Sequence, residues 1–223
     1  MIGGLTPLSA SDYPGHLSAV VFCQGCPWRC GYCQNAHLVE SSASPNLKWR
    51  AVLDFLERRI GLLDAVVFSG GEPTLQRTLP GAMKAVRAMG FRVGLHTSGA
   101  YPQRLASVLP LIDWIGLDIK APFDAYESVT NAPGSGSRAK SSARLVMESG
   151  VDYEFRTTMH PTRLDGAKIL TLAKELVEMG AKRYRVQEFR PKGCLDETLL
   201  GRAATSMTEA ISEEINALFP NSN

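Results

Sequence analysis

No stretch of this sequence approaches the ~18 consecutive apolar residues of a membrane-spanning helix. The longest apolar runs, such as Ala65–Phe68, have the length of a strand. Residues Met1–Ala10 carry neither a basic cluster nor an apolar core, so no secretory signal is expected there and the protein reads as cytoplasmic. Net charge is equally scarce. Lys and Arg number 24 against 22 Asp and Glu, a balance of +2. Without a block of like charge a nucleic-acid partner is not expected, and the short clusters Arg58-Arg59 and Lys182–Arg185 read as solvated faces. There are only four histidines (His16, His37, His96 and His160), each read as structural or solvent-facing. Cysteine is almost absent outside one window: four of the five lie between Cys23 and Cys33, and the fifth is Cys194. A disulfide framework would distribute its cysteines to close long loops, so this bunching points to metal ligation.

The rest is ordinary globular material. Hydrophobic residues make up 44% of the 223, enough to build a core that buries roughly 70% of the open chain's surface. Strand-like and helix-like segments alternate. Strands are expected at Ser18–Phe22, Ala65–Ser69, Phe91–Leu95, Trp114–Ile119, Tyr153–Thr158 and Arg183–Phe189. Helices are expected at Leu47–Ile60, Pro80–Met89, Gln103–Leu109, Ala139–Ser149, Gly166–Met179 and Ser206–Leu218, the last capped by Thr205 or Ser206. The Gly/Ser-rich segment Asn131–Ser137 is expected to be a loop. No repeat or linker divides the chain, so residues 1–223 are expected to form a single domain. The alternation predicts a parallel α/β sheet. It does not choose between an open or partial barrel and a doubly wound sheet.

The unusual residues follow strand ends. Cysteines come after the first strand, Gly70-Gly71-Glu72-Pro73 after the second, Thr97-Ser98-Gly99 after the third, and Asp118 and Lys120 end the fourth. The carboxyl ends of parallel strands form the ligand face of such folds, so one composite site is expected there. In Cys23-Gln-Gly-Cys26-Pro-Trp-Arg-Cys30-Gly-Tyr-Cys33, the thiols suit a structural zinc ion, a fully ligated cluster, or a cluster with one iron open. Cys23 and Cys194 read as small buried hydrophobes. On their own, Gly70-Gly71 would be a tight turn and Asp118/Lys120 an ion pair on one strand face.

Taken together, Cys26-x3-Cys30-x2-Cys33 with Tyr32 before the last cysteine resembles the radical S-adenosylmethionine (SAM) signature. That resemblance implies a partial (β/α)6 TIM-like barrel, a 4Fe–4S cluster on Cys26, Cys30 and Cys33, and SAM on its open iron. It also implies SAM contacts from Tyr32, Gly70, Gly71, Glu72, Thr97, Asp118, Lys120 and Arg156, with Glu72 offering acceptors to the ammonium group. The cofactor, cleaved to a deoxyadenosyl radical, carries the difficult chemistry, so no side chain is nominated as an acid or base.

The segments Gly4-Leu5-Thr6-Pro7, Asp12-Tyr13-Pro14-Gly15 and Phe22–Cys30 further resemble the anaerobic ribonucleoside-triphosphate reductase activating proteins. These are glycyl-radical-enzyme activases. The likeness implies a glycyl radical enzyme as partner and a flavodoxin- or ferredoxin-type electron donor. Two rivals stand beside it: a radical SAM enzyme acting on a small molecule, in the manner of 7-carboxy-7-deazaguanine synthase, and a metal-stabilised binding module.

Overall fold

The computed structural model describes residues 2–41, 47–160, 164–194, 196–200 and 207–220. The chain opens with strand β1 (Ile2–Ser9) and returns through residues 10–17 into β2 (Ser18–Cys23), which pairs antiparallel with it. Five further strands each add parallel to the one before: β3 (Ala65–Gly70), β4 (Arg92–Thr97), β5 (Trp114–Asp118), β6 (Asp152–Met159) and β7 (Tyr184–Glu188). Spatial order equals chain order throughout. A doubly wound sheet needs a reversal of strand order, and none occurs among the described residues. With right-handed crossovers, a sheet that grows in one direction keeps its helices on one side and curls. The result is a partial (β/α)6 barrel with an antiparallel strand added at its first edge.

The helices between and after the strands are α1 (Trp49–Glu57), α2 (Leu79–Ala88), α3 (Pro102–Val108), α4 (Tyr126–Thr130), α5 (Ser135–Glu148), α6 (Gly166–Glu178), α7 (Glu197–Leu200) and α8 (Glu209–Leu218). Strand side chains alternate between two cores, as the two-residue period demands. Val21, Val66, Phe68, Val93, Leu95, Ile115, Leu117 and Phe155 pack under helix residues such as Leu56, Met83, Val86, Leu105, Val146 and Leu172. Val20, Ala65, Val67 and Trp114 face the barrel interior, and Tyr13 closes that smaller cluster. The Tyr13 ring lies 5.5 Å from Trp114 and occupies space that Gly94 leaves open, since a Cβ there would lie 3.1 Å from the ring. The Asp12–Gly15 segment therefore plugs the amino-terminal end of the barrel, leaving the carboxyl end for the site.

Four expectations change. Residues 2–9 form a strand despite Gly3, Gly4 and Pro7, because an edge position tolerates a missing donor. α4 and α7 carry too few residues to show a period. The segment expected as a loop at Asn131–Ser137 enters α5 at Ser135, where Ser135 and Gly136 are buried. Its small residues serve packing: a Cβ on Gly136 would lie 2.0 Å from the Phe123 carbonyl oxygen. The last helix begins at Glu209, and its expected caps Thr205 and Ser206 lie outside the described residues.

Candidate functional site

The cysteine loop leaves β2 and is tied on several sides. Gly25 N–H donates to the Leu38 carbonyl (2.7 Å) and Cys26 N–H to that of Val39 (3.0 Å). Arg29 N–H donates to the Thr130 carbonyl (2.8 Å), and the Asn131 side-chain amide returns a bond to the Arg29 carbonyl (2.9 Å). Trp28 packs edge-on to Tyr126, with ring centroids 5.5 Å apart. α4, invisible in the sequence, is thus the wall against which the loop is built.

The end of β3 meets the loop from below. Gly71 N–H donates to the Cys23 carbonyl (2.9 Å), and Glu72 N–H to that of Gly25 (2.8 Å). Gly70 sits at φ +106°, and a Cβ on it would lie 2.6 Å from the Cys23 backbone. A Cβ on Gly71 would lie 2.3 Å from the Gly25 carbonyl oxygen. Two backbones approach here at a distance only glycine permits.

Glu72 is fully buried. Its Oε1 accepts from Thr74 N–H (3.0 Å), the Thr74 hydroxyl (2.6 Å) and the Thr97 hydroxyl (2.6 Å). Its Oε2 accepts from Ser98 N–H (2.9 Å) and the Ser98 hydroxyl (2.5 Å). A carboxylate offers about four lone-pair positions, so five donors saturate it. Sequence reasoning expected an acceptor for a ligand's ammonium. In the structure Glu72 ties the β3 and β4 loops together. Ser98 and Thr74 were missed, although hydroxyl residues two positions either side of turns are the available signal.

Asp118 lies between two cations. Oδ1 accepts from Arg156 NH2 (2.9 Å) and Nε (3.2 Å), while Lys120 Nζ stands 3.7 Å from Oδ2. Burial alone would raise the Asp118 pKa, but Arg156, then Lys120, hold it below the usual carboxylate range. Lys120 is held well above its ordinary value: burial opposes the charge, while Tyr32, Asp118 and Cys30 favour it. Two cations and one carboxylate leave a net positive charge at the carboxyl ends of β5 and β6, suited to an anionic group. The Tyr126 hydroxyl fixes this corner, accepting from Lys120 N–H (3.0 Å) and donating to the Asp118 carbonyl (3.3 Å). Arg156 lies over Gly116, where a Cβ would come within 2.7 Å of the guanidinium carbon.

The thiols of Cys26 and Cys30 feel one another, Cys30 feels Cys33, and Lys120 bears on both Cys26 and Cys30. Burial pushes the Cys26 thiol up to about 12, with Glu72 adding to the rise, and burial also raises Cys30. Among the described residues no three His, Cys, Asp or Glu side chains form a cage for a single ion. A cubane spreads its thiolates wider than a single ion does. Three thiols on an eight-residue loop beside a lysine fit such a cluster, whose assembly must take off their protons. The same loop holds a spare donor: the Trp28 indole N–H is buried and finds no acceptor among the described residues. Cys23 lies apart from this group, buried on β2, its thiol pushed up to about 12 chiefly by burial.

His96 joins the site to the barrel plug. Its Nε2 lies 2.8 Å from the Asp12 carbonyl, a contact that requires Nε2–H as donor. Arg156 NH1 approaches the same nitrogen at 3.4 Å, and Ser69 Oγ lies 3.5 Å from Nδ1. Burial, then Arg156, lowers the His96 pKa to about 4. Sequence alone reads this residue as structural or solvent-facing. Its partner lies 84 positions away, beyond any local signal. Between pH ~6.5 and ~4 the unfolded imidazole takes up a proton that folded His96 refuses, so stability falls as pH falls through that window. His96→Gln is expected to remove about 3 kcal/mol of this acid loss, read as a flatter dependence of the urea midpoint on pH.

Fold and site together define an α/β partial-barrel protein with a three-thiol loop at the carboxyl ends of its strands. Residues 20–184 match the radical SAM superfamily, and the chain belongs to it. Enzymes of this family use a 4Fe–4S cluster and SAM. A Methanocaldococcus jannaschii protein named as a glycyl-radical enzyme activating enzyme is 31% identical over 88% of this chain and 83% of its own length. A pyruvate formate-lyase-activating enzyme of Clostridium pasteurianum is 30% identical over 74% of this chain and 70% of its own. Among solved structures, anSMEcpe with bound SAM superposes with a TM-score of 0.61 at 16% identity. The overlap covers 75% of this chain and 50% of that one. Streptococcus suis SuiB bound to SAM gives a TM-score of 0.59 at 17% identity, over 77% of this chain and 40% of that one.

Proposed function

We propose that this protein is a glycyl-radical-enzyme activase, and that its partner is an anaerobic ribonucleoside-triphosphate reductase. The observation that carries the activase reading is the 31% identity to a protein named for that activity, spread over most of both chains. The reductase is favoured by the opening segments Gly4–Pro7, Asp12–Gly15 and Phe22–Cys30. We take residues 1–223 as one radical SAM domain working in the cytoplasm, supplied with electrons by a flavodoxin- or ferredoxin-type donor.

In this reading Cys26, Cys30 and Cys33 hold the cluster, and Tyr32, buried beside Lys120, walls it off from water. When bound, the cluster and SAM together supply the radical that takes a hydrogen atom from the partner's glycine. The chain's own residues bind and orient. Gly70 and Gly71 bring backbone close to the cofactor, while Glu72, through Thr97 and Ser98, keeps that backbone in place. Lys120 and Arg156, offset by one carboxylate on Asp118, receive the SAM carboxylate. No described helix is long and apolar enough to cross a membrane.

The test is electron paramagnetic resonance on anaerobically reconstituted, reduced protein, with SAM and then with candidate partners. A cubane signal that shifts with SAM, and a glycyl radical appearing only with the reductase, is expected. A radical on a different glycyl radical enzyme would keep the activase reading and displace the partner. A second reading has its own support: a 7-carboxy-7-deazaguanine synthase of Thermococcus kodakarensis is 25% identical over 56% of this chain. Deoxyadenosine formation that rises with a pterin-like small molecule, without any partner protein, would favour it.

A further inference from the structure

The two halves of the cysteine loop are held differently. Gly25, Cys26 and Arg29 are bonded to Leu38, Val39 and Thr130. In the second half, the backbone bond from Cys33 N–H to the Cys30 carbonyl (3.1 Å) stays within the loop. From outside, Lys120 and His160 lie against the Tyr32 ring, and the segment following β7, more than a hundred residues on, lies against Gly31 and Gln34. There the chain turns, with Cys194 N–H donating to the Pro191 carbonyl (3.0 Å). Gly193 adopts φ +87° against Gln34, where a Cβ would lie 2.0 Å from the carbonyl oxygen. Cys194 is buried, and its thiol donates to the Gly31 carbonyl at 3.3 Å. Just upstream, Phe189 stands edge-on to His160 (4.7 Å), and the His160 ring lies parallel to that of Tyr32 (6.2 Å, 13°). Residues 31 and 34, on either side of Cys33, are thus both touched by one strap, which reaches Tyr32 through His160.

We propose that Gly193 and Cys194 are positioning residues for the cluster, holding the Gly31–Gln34 turn so that Cys33 stays in place as a ligand. The inference rests on the reading of Cys26, Cys30 and Cys33 as the cluster ligands. Cys194 itself acts through Gly31: its thiol is turned onto that carbonyl. A thiolate on an untethered turn leaves its iron more readily, because the turn can swing away before the bond re-forms. Outer partners that orient metal ligands change metal affinity by about 10- to 100-fold when removed. Gly193 contributes shape, since no other residue permits that approach at a positive φ.

The experiment is anaerobic release of iron to a chelator from reconstituted protein, comparing wild type, Cys194→Ser, Cys194→Ala and Gly193→Ala. Melting of the four apo proteins, followed by circular dichroism, checks that each folds. Wild type and Cys194→Ser, which retains a donor, are expected to release iron at similar rates. Cys194→Ala is expected to release it about 10-fold faster, and Gly193→Ala faster still. Release from Cys194→Ala at the wild-type rate overturns the proposal. So does failure of both Cys194 variants to take up a cluster, which would make Cys194 a ligand. If wild type itself takes up no cluster, the ligand reading falls first, and the strap has nothing to position.

Discussion

Cys30→Ala is expected to abolish cluster uptake and, with it, SAM cleavage, down to the background of a protein-free mixture. Cys30 occupies the middle of the three-thiol loop, coupled to Cys26 on one side and Cys33 on the other. A cubane left with two thiolates has lost a protein ligand that nothing nearby replaces, for Cys23 is sequestered and Cys194 is committed to Gly31. The comparison variant is Cys23→Ala. Cys23 is 4% exposed on β2, so its loss costs packing alone, roughly 1–2 kcal/mol, and leaves iron content unchanged. Iron and sulfide analysis with visible absorption separates the two. Full cluster content in Cys30→Ala, or its loss in Cys23→Ala, would mean that the ligand set has been misassigned.

Glu72→Gln is expected to be the most destabilising isosteric change in the site, at about 3–5 kcal/mol. The carboxylate accepts five hydrogen bonds in a place closed to water. An amide turns one of its two acceptor atoms into a donor. That atom then faces either Thr74 N–H or Ser98 N–H, neither of which can rotate away. Hydroxyls of Thr74, Thr97 and Ser98 can reorient; backbone amides cannot, and each one buried without an acceptor costs about 1–3 kcal/mol. For a chain of this size the melting temperature should fall by roughly 10 °C. SAM affinity should fall with it, because Gly70 and Gly71 lose their support. A Glu72 that served only as a ligand for the ammonium group would behave differently, with weaker SAM binding and a melting temperature within about 2 °C of wild type. Differential scanning calorimetry of the apo protein makes that distinction.

Local chemistry made much of this protein legible in its sequence. Two of the six parallel strands, β2 and β3, carry the β-branched run VVF, and all six lie within a few residues of the segments that the alternation predicts. The cysteine spacing pointed to a metal loop, and the unusual residues that follow strand ends do lie together at the carboxyl ends of the strands. These signals survive because they depend on neighbours within one turn or one strand.

The rest was decided by tertiary structure. The direction of winding follows from strand order, which alternation alone leaves open. β1 was hidden because Gly3, Gly4 and Pro7 deny it a strand signature, and only pairing with β2 makes it one. α4 was hidden by its length, yet it walls the cysteine loop. The motif Asp12–Gly15 is visible in the sequence but its packing role is not, since a barrel plug exists only once there is a barrel for Tyr13 to fill. Glu72 shows the division most clearly. Sequence gave its chemistry, an acceptor of hydrogen bonds, but the donors that claim it lie two, 25 and 26 positions away. Residue type sets what a side chain can do. Which partners reach it first is settled by the loops that folding brings together, and no local pattern encodes them.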